Sequence, residues 1–367
     1  MSGGTASVSG VPDRLTSEWI RPEPVTAISD VRQIERHDDA ARVAQALCEG
    51  ERACVADLYS TGLTILAEVR RHLQPGGKPL DYAGSRAFRR TYQQASQRLL
   101  APIADHQIAL RKAPSIGWLE ELYPHVGDFH LSFPHLQGLN SSWQWYTRGI
   151  DLPVIEPTLH PFYGTYFPTR FEHLELFAEW LQGYQGKRDL AYDIGTGCGV
   201  LALQLSAAGC AHVIATDTNP NAIESVRRDL HELTPAPAIT PIVSDLFGQH
   251  QAAADLIVFN PPWLCGEAHG PLDQAMYFAE GFFERFFHDA GARMHHDARL
   301  VLIFSNLRQQ TSDDTMNPIQ AELDSNSRFE LVQKLEAGVR PSSKKTRRRQ
   351  RSVEQERVEV WELRLTN

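Results

Sequence analysis

A strand-like run that breaks into glycines and passes at once into an apolar helix leaves few folds open to this chain. Leu190-Ala191-Tyr192-Asp193-Ile194 is followed by Gly195-Thr196-Gly197-Cys198-Gly199, then by Val200, Leu201, Leu203 and Leu205. Glycines between strand and helix let a ligand approach the backbone, and the helix start offers free N–H groups. Apolar strand-like runs recur at residues 213–216, 239–243, 256–259 and 300–304, with helical stretches between them. That alternation predicts a doubly wound, mostly parallel α/β sheet with helices on both faces. Residues 329–335 and 358–365 have no helix-length apolar pattern between them and predict an antiparallel pair at the sheet edge.

Upstream the texture differs. Residues 1–25 are rich in Gly, Ser and Pro and read as a disordered tail. Residues 26–150 read as an α-helical N-terminal domain that selects the substrate. Val55, Leu58, Leu66, Val69 and Leu73 recur at helical spacing, and Phe88, Tyr92 and Leu99 fall near one face. Residues 106–123 predict a further helix interrupted at Pro114. Pro153, Pro157, Pro161 and Pro168 stiffen the connecting segment. Residues 151–367 then form the α/β domain, so that 367 residues make about two domains at roughly 150 residues each.

Composition narrows the setting. With 42% hydrophobic residues, a chain this long folds without disulfide or metal staples. It has no apolar stretch approaching the ~18 residues of a membrane span. Five cysteines without a CxxC pair argue against a disulfide scaffold and a thiolate zinc site, and point to the cytoplasm. The net charge is -9, yet Lys344, Lys345, Arg347, Arg348, Arg349 and Arg351 crowd into one run. An acidic body does not attract polyanions globally, so any RNA or DNA contact would be local to that run. No metal site is expected: His130 and His135 read as packing or surface residues, and His295-His296 as a helix end. Phe282, Phe283, Phe286 and Phe287 form a helical stripe that reads as core. Trp143 and Trp145 read as packing between domains or as a pocket wall.

The loop spacing separates ligand classes. GxGxG preceded by Asp193 differs from the dinucleotide fingerprint GxGxxG, and an acid there suits a ligand with a cationic amine. Asp217 ends the next strand, where a carboxylate can accept both hydroxyls of a ribose. Asp245 ends the third, where it can accept from an adenine amino group with Leu246 against the ring. The run at 256–259 leads into Asn260-Pro261-Pro262-Trp263. Prolines fix the backbone and remove donors, leaving the Pro261 carbonyl and the Asn260 side-chain oxygen as two acceptors close together. Such a pair grips both hydrogens of a planar NH2 group and orients its nitrogen towards a methyl donor. Trp263 offers a flat face for stacking.

Together, residues 193–199, Asp217, Asp245 and Asn260-Pro261-Pro262-Trp263 resemble the class I S-adenosylmethionine-dependent methyltransferases. They are most similar to the amino-methylating branch with an (N/D)PP(Y/F/W) motif, which includes glutamine, N6-adenine and N2-guanine methyltransferases. The resemblance implies a seven-stranded sheet with a terminal antiparallel hairpin. It implies that Asp193, Gly195, Thr196, Gly197 and Gly199 hold the methionine part of S-adenosylmethionine, Asp217 the ribose, and Asp245 and Leu246 the adenine. It places the target nitrogen at Asn260, Pro261, Pro262 and Trp263, with Asn260 also against the cofactor. It also implies that residues 163–170 cover the cofactor. Their Phe-Pro-Thr-Arg departs from the signature of the glutamine enzymes. The expected activity is methylation of a planar amino or amide nitrogen in an RNA or DNA base, a protein glutamine or a small amine. A non-catalytic nucleic-acid-binding or scaffold protein with the same fold is the alternative. An NAD oxidoreductase is disfavoured by the loop spacing.

Overall fold

A computed structural model describes residues 19–26, 28–29, 31–77, 82–266, 275–307, 316–325, 328–340 and 356–366. Its first half departs from the all-helical expectation. β1 (Arg32–Ile34), α1 (Ala40–Glu49), β2 (Ala53–Val55), α2 (Tyr59–Leu73) and α3 (Tyr82–Ser96) lead into β3 (Leu99–Ala104) and β4 (Gln107–Ile108). Then follow α4 (Trp118–Leu122), β5 (Phe129–Ser132) and α5 (Phe133–Arg148). The strands form a five-stranded sheet in which β1, β2 and β3 run parallel and β4 and β5 pair antiparallel to β3. The strands were hidden because β1 and β2 are three residues long, too short to show a period, and β3 is a nearly continuous buried run. Only residues 118–122 of the helix expected over 106–123 are helical.

The helices begin and end where local chemistry permits. Asp39 accepts from the Ala41 and Arg42 N–H groups at the start of α1, and Gly50 closes it at φ 111°. Ser132 caps α5, with Pro134 in its first turn.

Residues 19–25 are not a loose tail. Trp19 packs tilted against Phe162 at 5.0 Å, Ile20 exchanges backbone hydrogen bonds with the Asn221 side chain, and Val25 bridges His130. Composition alone missed this because the anchoring is done by single side chains amid small and proline residues.

The second half contains α6 (Glu172–Gly183), β6 (Leu190–Ile194), α7 (Val200–Ala207), β7 (His212–Asp217), α8 (Pro220–Glu232), β8 (Ile239–Val243) and β9 (Ala254–Phe259). After a short pair, β10 (Leu264–Cys265) and β11 (Tyr277–Phe278), come α9 (Phe282–Gly291), β12 (Met294–Ser305), α10 (Pro318–Ser325), β13 (Phe329–Gly338) and β14 (Arg357–Leu365). The seven-stranded sheet runs β13-β14-β12-β9-β6-β7-β8. All neighbours are parallel except β14, which is antiparallel to both β12 and β13. The terminal hairpin is thus where the sequence put it. Every residue of β9 is buried, as a central strand covered on both faces requires.

His295 and His296 lie in β12 and do not end a helix. Phe283, Phe286 and Phe287 are core as expected, whereas Phe282 is only half-buried.

Candidate active site

The carboxyl ends of β6, β7, β8 and β9 open into a cleft of about 420 Å³. This is where open α/β sheets hold ligands. Gly195, Thr196, Gly197, Asp217, Asp245 and Leu246 line it, and so do Asn260, Pro261, Pro262 and Trp263.

The glycine loop is shaped by its backbone. Gly195, Gly197 and Gly199 have φ of 65°, 53° and 82°, values that other residues adopt only under strain. A Cβ on Gly197 would stand 3.2 Å from the Tyr166 carbonyl, so the loop and residues 163–170 close on each other. Residues 166–170 line the cleft, as a covering segment would.

Two expected cofactor residues do not reach the cleft. Asp193 is fully buried beneath the loop, where its Oδ2 accepts from Thr196 Oγ1 (2.6 Å) and the Ala202 N–H (3.0 Å). Burial pushes its pKa up to about 7. It braces the loop through Oδ2 and lies outside the cleft lining, because the strand's alternation turns residue 193 into the core between α7 and the sheet. Gly199 likewise acts through the turn: it starts α7 and packs against Val226.

Asp217 lines the cleft with its oxygens already accepting the Gly197 and Asn219 N–H groups, both at 2.9 Å. Each oxygen retains a lone pair for a hydroxyl. Asp245 is paired with Arg285 through both oxygens, and 55% of its side chain is exposed. An adenine amino group would share or displace that guanidinium. Leu246, at φ 50°, turns its buried side chain to the cleft.

At the other end, Trp263 Nε1 donates to Asn260 Oδ1 at 3.1 Å. His173 stands edge-on to the Trp263 ring at 5.7 Å. Burial pushes His173 down to about 4, so it presents a neutral imidazole. Two ion pairs frame this end: Arg170 with Glu356 at 3.0 Å and Arg340 with Glu172 at 3.3 Å. Glu172, His173 and Glu356 were not anticipated, and Phe282 was expected only as core. The sequence signal was an acid and a histidine opening an amphipathic helix.

Comparison with known proteins bears on this geometry. Residues 174–320 match the methyltransferase small domain family. That match places residues 174–320 among the class I S-adenosylmethionine-dependent methyltransferase domains. The ribosomal protein L11 methyltransferase of Thermoanaerobacter sp. is 29% identical over 33% of this chain and 38% of its own length. That of Leuconostoc citreum is 34% identical over 29% of this chain and 35% of its own. The chain thus spans less than two fifths of the curated relatives it matches. A crystal structure of ribosomal protein L11 methylase from Lactobacillus delbrueckii subsp. bulgaricus aligns with TM-score 0.40 and 17% identity over 57% of this chain and 84% of that one. Residues 19–173 lie outside the family match. Trp143 is packed inside the N-terminal unit on Trp118, while Trp145 is 38% exposed and touches the cleft residue Phe167 at 5.5 Å.

Proposed function

We propose that the chain is an S-adenosylmethionine-dependent N-methyltransferase of the amino-methylating branch, acting on a planar amino or amide nitrogen. The observation that carries this reading is the Trp263 Nε1 to Asn260 Oδ1 hydrogen bond at the cleft. It fixes the Asn260 amide with its oxygen held as an acceptor, which suits an NH2 donor and disfavours a carbonyl oxygen. Asp217 and the glycine loop would hold the donor, with Leu246 against its adenine. S-adenosylmethionine supplies a sulfonium-bound methyl group. The chain's part is to align a neutral nitrogen with that carbon and to exclude water.

The acceptor lies at the Trp263 end, and the N-terminal unit, residues 26–150, selects it. Val339 and Glu356 line the cleft on either side, in sequence, of the basic run at 344–351, which itself lies outside the described residues. That flanking supports RNA as the acceptor over a free small amine. The free thiols, and the lack of any helix among the described residues long and apolar enough to cross a membrane, suit a cytoplasmic enzyme.

The test is transfer of labelled methyl from S-adenosylmethionine to an extract of cells lacking the gene, followed by ribonuclease or protease digestion. Label released by ribonuclease supports the reading. Label on protein overturns the RNA acceptor, and no label in any fraction favours the non-catalytic scaffold. Asn260→Ala is expected to abolish transfer while keeping cofactor affinity by calorimetry. Loss of cofactor binding would instead refute the role given to Asn260.

A further inference from the structure

Among the described residues, one group of three potential metal ligands lies away from the cleft: His295, His296 and Asp297, whose ligand atoms all fall within 4.8 Å of one another. They open β12, where pairing with β9 slips between Met294 and Arg299. Neighbours on a regular strand point to opposite faces, and such a slip gathers successive side chains. His295 is fixed from behind. Its Nε2 lies 2.9 Å from Asp255 Oδ1, while Asp255 Oδ2 accepts the Asp189 and Leu190 N–H groups at 2.7 and 3.1 Å. A carboxylate on one ring nitrogen is how metal-binding imidazoles are oriented, because it sets the tautomer and leaves the other nitrogen, here Nδ1, as a ligand. The His296 and Asp297 side chains are 79% and 64% exposed, so the group is open to an ion. Arg299 reaches the Asp297 carbonyl at 2.8 Å, but its charge is offset by Glu362 at 3.0 Å.

We propose that His295, His296 and Asp297 bind a divalent transition metal, with Asp255 as the orienting carboxylate and water completing the coordination. Two imidazoles and one carboxylate favour Zn2+, Ni2+ or Cu2+ over Mg2+ or Ca2+. The group sits at the amino ends of β9 and β12, and the cleft at their carboxyl ends. At ~3.3 Å per strand residue, Asp255 and Asn260 are about 17 Å apart. The metal therefore takes no part in methyl transfer, and the inference stands independently of the proposed activity.

The test is a calorimetric titration of the untagged, chelator-stripped protein with Zn2+. One ion per chain with roughly micromolar affinity is expected, with no heat from Mg2+. His296→Ala, at an exposed side chain, should weaken binding at least tenfold. Asp255→Asn should weaken it roughly 10- to 100-fold. Circular dichroism and S-adenosylmethionine affinity should stay as in the wild type. Wild-type Zn2+ binding by His296→Ala and by a His295→Ala/His296→Ala double variant would overturn the site, as would equal competition by Mg2+.

Discussion

Asp193 shows what one buried carboxyl does to the whole chain. Its pKa is about 7 in the folded state against an ordinary 3.8, because burial penalises the charge. The folded form therefore holds the extra proton, and this group's stabilising contribution is full in acid and falls away as the pH rises through about 7. Asp193→Asn keeps an oxygen for Thr196 and Ala202 and removes the titration. Its melting temperature relative to wild type should rise between pH 4 and pH 7; parallel pH profiles would refute the assignment. Trp263→Phe keeps the stacking face and loses the N–H that holds Asn260. The loss of one hydrogen bond predicts a kcat lower by roughly 2- to 10-fold, with cofactor affinity unchanged in a binding titration. The types of these residues were legible in the sequence. Their directions were not: an acid beside a glycine loop looks the same whether it faces the ligand or, like Asp193, the core. The Asp245–Arg285 pair was equally invisible, since it joins residues on different elements.

At the scale of elements, the glycine loop separates two jobs that the sequence showed as one. Gly199 has φ 82° and lies against Val226, away from the cleft. Gly199→Ala should cost about 1–3 kcal/mol of stability in denaturant unfolding and leave cofactor affinity alone. Gly197→Ala pushes a Cβ towards the Tyr166 carbonyl within the cleft lining and should weaken S-adenosylmethionine binding in calorimetry. The parallel sheet and its antiparallel hairpin were readable because 5- to 12-residue strands alternate with whole helices. The N-terminal sheet was not. A three-residue strand such as Ala53–Val55 carries no period, and Pro102 inside β3 argues against a paired strand there.

For the molecule as a whole, Arg228 on α8 ties the two sheets together. It reaches Glu121 of α4 at 2.5 Å and Glu224 at 2.7 Å, and lies over the Phe162 ring at 4.5 Å. Its side chain is 28% exposed, so removing it should cost about 1–3 kcal/mol, below the figure for a fully buried pair. Arg228→Ala is expected to split a single calorimetric unfolding transition into two; one unchanged transition would show that the units are coupled elsewhere. The anchoring of Trp19 and Ile20 onto Phe162 and Asn221 carries a practical corollary. Dividing the gene between the two sheets would strip the seven-stranded half of a hydrophobic cap and leave it sticky and short-lived. Grafting this front half onto a foreign seven-stranded core would require transplanting Asn221 and Arg228 as its receptors.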